Sequence, residues 1–230
     1  WSKQYSSFRT PVFGRSVVAT SQPLAARAGI DAMVRGGNAV DAALTAAITL
    51  TVVEPTMNGV GGDAFALVWD GHMLHGLNAS GRAPKAWTRG LFSRYTEMPM
   101  AGWDSVTVPG AVSAWIALSR RFGVLPFAEL FRSAIDYARN GFIVPPYIAR
   151  MWSEAAQRHS RFPSFAATFM PGGSAPRTGE LFKDEALADT LEEIASSFGE
   201  SFYRGRLARR IASFARDTGG LLDEEDLAAH

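Results

Sequence analysis

The chain has no cysteine, which excludes disulfides, a thiolate nucleophile and cysteine-ligated zinc or iron–sulfur centres. It has only four histidines, and the near pair, His72 and His75, falls three apart on an expected strand, where alternate side chains face opposite ways. No metal site and no cofactor are therefore expected. It also lacks an excess of either charge: 23 Lys and Arg stand against 22 Asp and Glu, a net charge of +1. That balance gives neither nucleic acid nor an anionic membrane an electrostatic reason to bind. The uncharged run from Ala42 to Val53 is well short of the roughly 18 residues of a membrane span. Nothing at the start resembles an apolar export segment, although the first residue is Trp1; the start is expected to be trimmed and the location cytoplasmic. No Gly-x-Ser-x-Gly or Gly-Lys-Ser/Thr occurs, which removes nucleophile-elbow serine hydrolases and Walker-type phosphate loops.

What the chain does have is apolar content of 47% over 230 residues, ample for one large domain or two small ones. Its most informative stretch runs from Gly36 to Pro84. Gly36-Gly37 ends one helix, and Asn38 with Asp41 three residues on caps the next in the manner of a capping box. That second helix is apolar nearly all round, and its alanines predict close packing against a sheet. The turn Asn58-Gly59-Val60-Gly61-Gly62 follows a helix and precedes a strand, the reverse of a dinucleotide loop, so its glycines read as structural. Phe65, Leu67 and Trp69 alternate with Ala64, Ala66 and Val68, and Asp70-Gly71 suits a two-residue hairpin turn that pairs Trp69 with His72 and Leu67 with Leu74. Both faces carry apolar side chains, which predicts a sheet covered on both sides. The second strand runs out at Asn78-Ala79-Ser80-Gly81-Arg82-Ala83-Pro84. Polar groups at a strand end beside a glycine turn either line a pocket or form an ordinary polar loop, and spacing alone favours the loop.

Elsewhere, residues 1–13 read as a surface arm and Arg15–Thr20 as a short strand. A helix with a small-residue face of Leu24, Ala28 and Ala32 is expected from Pro23 to Gly36. Further helices are expected over Ala111–Phe122, from Pro126 to Asn140, from Pro146 to His159, over Asp184–Ser197, around Glu200–Tyr203 and over Gly205–Thr218, with a last turn at Asp223. Residues 161–179, rich in proline and glycine, read as the longest irregular loop. The basic cluster Arg204, Arg206, Arg209 and Arg210 lies among acidic neighbours and reads as a solvated face. From the residues alone the chain is an α/β or α+β domain. Glu54, Asp63 and Asp104 are carboxylates that could pair, but the sequence does not show that they meet.

Several stretches resemble, in order and spacing, the γ-glutamyltranspeptidase family: Val18 to Ala25, Gly36 to Ala43, Val53-Glu54-Pro55, Gly61-Gly62, Arg82-Ala83-Pro84, Val108-Pro109-Gly110, Phe202 to Gly205, and Gly219 to Leu222 followed by Asp226-Leu227. The resemblance covers nearly the whole chain after the arm. It implies an α+β fold, the four-layer αββα sandwich of N-terminal-nucleophile hydrolases. Residues 1–230 form one domain of it, the large-chain part, supplying part of the sheets and most of the helices. It further implies a precursor that cuts itself, a small-chain partner whose new N-terminal threonine is the nucleophile with its own amine as base, and a small-molecule γ-glutamyl or related amide substrate. It leaves room for a higher oligomer. No catalytic residue is expected in this chain. Substrate binding is expected at Asn78, Ser80 and Arg82. Where glutathione-cleaving members read Arg-Glu-x-Ala-Pro, with the arginine on the substrate carboxylate, alignment on Ala83-Pro84 puts Ser80 at that arginine's place and Arg82 two residues later, on the same face of an extended segment and about 7 Å along it. That form resembles the γ-glutamyltransferase-like branch, for which the implied activity is hydrolysis or transfer of an acyl group. The alternatives are a glutaryl or cephalosporin type of acylase, or a binding module without a nucleophile.

Overall fold

The computed structural model describes residues 11–230. Helix α1 (Pro23–Val34) starts with Gln22 as its cap and buries Ala25, Ala28, Gly29 and Ala32. Its small-residue face meets a helix and not a sheet: a side chain on Gly29 would come within 2.9 Å of the Ala42 carbonyl oxygen of α2 (Ala39–Val53). The two alanine-rich faces fit each other, which is the closest packing open to helices of this composition. Asn38 and Asp41 form the expected capping box. The buried Asp41 carboxylate also accepts from the Val124 and Leu125 amides, so the cap of one helix fixes the loop after another.

The hairpin consists of β1 (Ala64–Trp69) and β2 (Leu74–Ala79), antiparallel, with Trp69 opposite Leu74 and Leu67 opposite Gly76. The connection is four residues long, not two. Asp70 Oδ1 accepts from the His72 and Met73 amides at 2.8 Å, closing a wider turn that keeps His72 out of the ladder. The shift is by two residues, so every side chain stays on its expected face. Cover on both faces is not found among the described residues. The face carrying Ala66, Val68, His75 and Leu77 packs on α4 (Ala111–Phe122). The opposite face leaves Phe65, Leu67 and Trp69 67%, 76% and 64% exposed.

The rest is helical: α3 (Arg89–Phe92), α5 (Arg132–Asn140), α6 (Pro146–His159), α7 (Pro163–Phe169), α8 (Glu185–Ser196), α9 (Glu200–Arg204), α10 (Arg206–Asp217) and α11 (Glu224–Ala228). A two-residue pairing of β3 (Phe142–Ile143) with β4 (Leu181–Phe182) ties α6 to α8. Helix α7 and a 3₁₀ turn at Pro171–Gly173 occupy much of the stretch read as irregular, because Pro163 provides a first-turn position for a helix. Arg15–Thr20 is not a strand; it finds no sheet partner among the described residues. Of the expected surface arm, residues 1–10 lie outside the described residues. The core runs through Ile48 and Val52 of α2, Leu130 and Phe131, Trp152, Leu191 and Ile194. Each such side chain contributes about 1.5–3 kcal/mol by leaving water.

Candidate substrate site at the hairpin exit

Where β2 ends, the chain is held on both sides. The Asn78 side chain accepts from the Ser80 amide at 3.0 Å, an Asx turn that starts the exit loop. Gly81 then takes φ +69° with its Cα against the Val108 carbonyl oxygen, where a Cβ would overlap that atom. The Val108 amide donates to the Arg82 carbonyl at 2.9 Å. Gly110 lies as closely on the Ala79 carbonyl, and the Gly62 carbonyl accepts from both the Gly110 and Ala111 amides, at 3.0 and 2.9 Å. The glycine turn thus caps α4 and seats the exit loop against residues 108–110. Beyond Pro84, the Lys85 amide donates to Asp226 Oδ1 at 2.7 Å.

The structure brings Asn78 and Ser80 together and puts Arg82 on the far side of the left-handed Gly81. The expectation of an extended run from Ser80 to Arg82, with both on one face, is therefore corrected: the chain turns between them. Arg82 is exposed and has no ion-pair partner among the described residues. A guanidinium so placed can grip a carboxylate with two parallel N–H bonds.

Beneath it lies a knot that sequence reasoning did not find. The Tyr203 hydroxyl accepts from the Ser113 amide at 2.9 Å and donates to the Pro109 carbonyl at 2.8 Å. Ser113 Oγ donates to the Gly110 carbonyl at 2.7 Å, which leaves its lone pairs for His230 Nε2 at 2.9 Å. Burial, and then the positive charge of Arg82, push the His230 pKa down, so the imidazole is neutral at pH 7. Burial raises the pKa of Tyr203. A cleft of about 240 Å³, lined by both polar and apolar side chains, opens here between Ser113, Phe198, Tyr203, Arg204 and His230. The available signal was the pairing of glycines at 81 and 110, two positions without side chains that can meet backbone to backbone.

The other carboxylates do not gather. Glu54, 5% exposed, accepts from Ser21 Oγ at 2.6 Å; Asp104 bonds Arg94 and Tyr95; Asp63 is exposed. Arg206 pairs with Glu193 and Arg204 with Glu200, so two members of the basic cluster are neutralised.

A backbone-held loop at a hairpin exit that presents an arginine with no ion-pair partner among the described residues is built to meet an anionic group. Residues 25–230 match the gamma-glutamyltranspeptidase family model, and the chain belongs to that family. It is 37% identical over 225 residues to the glutathione hydrolase-like YwrD proenzyme of Bacillus subtilis (strain 168), covering 94% of this chain and 43% of that protein. To the acylase ACY 1 proenzyme of Pseudomonas sp. (strain SE83) it is 34% identical over 227 residues, covering 93% and 40%. Among solved structures, cephalosporin acylase from Bacillus halodurans superposes with a TM-score of 0.89 at 46% identity, over 99% of this chain and 45% of that one. Helicobacter pylori gamma-glutamyltranspeptidase superposes with a TM-score of 0.90 at 29% identity, over 95% and 65%. The chain thus spans about two fifths of the length of the curated relatives it matches.

Several of the stretches that carried the resemblance meet around the exit loop. Tyr203 of the Phe202–Gly205 stretch bonds Pro109, Asp226 bonds the residue after Pro84, and Gly62 bonds Gly110.

Proposed function

We propose that this chain is the large chain of a self-processing hydrolase or acyltransferase, acting on a γ-glutamyl or related amide through an N-terminal threonine on a small-chain partner. The observation that carries the reading is the family match over residues 25–230, nearly the whole chain, with relatives named as proenzymes. The exposed Phe65, Leu67 and Trp69 support the four-layer αββα arrangement. Helix α4 and the hairpin make one helix layer and one sheet layer, and the open sheet face is where a second sheet, built with the partner chain, would pack. Asn78, Ser80 and Arg82 form the carboxylate end of the pocket: Asn78 shapes the loop, Ser80 leaves room, and Arg82 supplies the charge.

A cephalosporin or glutaryl type of acylase is the second reading, favoured by the 46% identity to the Bacillus halodurans enzyme and by serine at position 80. Serine cannot reproduce the two-pronged grip of an arginine on a substrate α-carboxylate. Glutathione is therefore expected to be a poor substrate, and an acyl group without that carboxylate a better one.

Intact-mass analysis of the expressed precursor tests processing, with two chains expected, the second beginning with Thr. Turnover of γ-glutamyl and glutaryl anilides is then compared on wild type, Ser80→Arg and Arg82→Ala. Efficient γ-glutamyl turnover that is indifferent to Arg82→Ala would show that the carboxylate is held elsewhere.

A further inference from the structure

A concave feature walled by four aromatic side chains lies remote in sequence from the exit loop. Three segments converge on it: residues 101–106, the corner between α6 and α7, and the end of α10. They enclose about 470 Å³, within the usual range for small-molecule sites. The walls are Trp103, Phe162, Phe165 and Phe214, with His159 at the corner.

These walls are set by packing and not by chance collapse. Trp103 lies against Gly220, where any side chain would strike the indole, and its Nε1–H donates to Thr218 Oγ1 at 2.8 Å. Its ring tilts against Phe214 at 5.9 Å between centroids. Across the cleft, His159 stands 5.5 Å from Phe165 and 6.2 Å from Phe162. The Trp103 donor is thus satisfied, whereas the His159 ring has no hydrogen-bond partner among the described residues.

Charges of both signs adjoin the lining residues, and they differ in whether they are already paired. Asp104, next to Trp103, is already bonded by Arg94 and Tyr95. Arg161 lays its guanidinium over the Phe162 ring at 5.0 Å and has no carboxylate partner among the described residues. Stacking uses the face of the guanidinium and leaves its N–H edge free for a planar anion.

We propose that this cleft binds a small organic carboxylate with a planar apolar body, the body between Trp103 and Phe165 and the carboxylate on Arg161. The apolar walls account for the body and the free guanidinium for the anion. The proposal does not rest on the acyl-transfer reading, since none of these residues belongs to the exit loop.

The test uses the full protein that carries this chain, titrated with 2-naphthoate and with neutral 2-naphthamide by calorimetry. Wild type is expected to bind naphthoate saturably and more tightly than the amide. Arg161→Gln should weaken naphthoate about tenfold and leave the amide unchanged. Ala101→Trp, which fills the cleft, should weaken both at least about tenfold, with Ser164→Trp as the replacement if the first variant misfolds. No saturable binding by wild type up to about 10 mM would overturn the proposal, as it would if a segment of the partner chain occupied the cleft. Equal loss of both ligands in Arg161→Gln, or no loss in a filled cleft, would also overturn it.

Discussion

The hairpin and the helical half around Trp152 place their aromatic side chains in opposite ways. Trp152 is 1% exposed, its indole N–H donates to the Phe169 carbonyl at 2.8 Å, and Phe182 packs edge-on against it at 4.6 Å. Trp69, Phe65 and Leu67 alternate just as regularly on a sound antiparallel ladder, yet stand in solvent. One region closes on itself within these residues. The other completes its backbone bonding but not its burial. Since burial and not the ladder supplies most of the stability of a sheet, the outer face of the hairpin adds little to the stability of these residues.

The sharpest way to break that comparison is to remove everything else. Residues 1–230 expressed alone are expected to aggregate or to protect only the helical half in hydrogen exchange, with the β1 and β2 amides exchanging freely. A monomer that melts in one cooperative transition would refute the distinction. Next in size, Trp152→Ala should cost about 3–5 kcal/mol in chemical denaturation whether or not a partner is present. Trp69→Ser should leave the isolated chain's stability unchanged and reduce recovery of assembled protein. Two glycines sharpen the picture at the exit loop. Gly81→Ala forces a Cβ into the Val108 carbonyl at positive φ and should cost about 2 kcal/mol or more. Gly62→Ala should lie within about 0.5 kcal/mol of wild type, because Gly62 has no positive φ and its nearest foreign atom is 3.3 Å from where a Cβ would sit. The smallest effect is on pH dependence. His230 has a lowered pKa, so the folded state binds fewer protons than the unfolded one and stability falls as pH drops below about 6.5. Melting at pH 7.5 and 5.5 should show this fall, and His230→Gln should flatten it.

Most of the helices were legible because their stops are chemical. Gly36-Gly37, Gly123, Asn140-Gly141 and Gly219-Gly220 end helices where they were expected, and Asn38, Asp184 and Asp223 begin them. The hairpin faces were legible too, but its register was not, since Asp70 can close a two- or a four-residue connection and only its bonds to His72 and Met73 decide. The partner of the alanine faces was misjudged because small residues admit close approach to a helix or a sheet equally. At the candidate site, the Ser80 and Arg82 positions came from alignment with the family motif, and Asn78 from its place at the strand end. The turn at Gly81 could not be read in this way, because it depends on Val108, and the Tyr203 knot joins residues 90 apart.

The bond from the Lys85 amide to Asp226 spans 141 residues. Chains are synthesised at about 5–20 residues per second, so the exit loop waits on the order of ten seconds before its last anchor exists. During that interval Arg82 and the apolar hairpin face are displayed on the ribosome with one of their two tethers missing. The site is thus locked from its far end, and a chain truncated before α11 would present a loop that no later event can set.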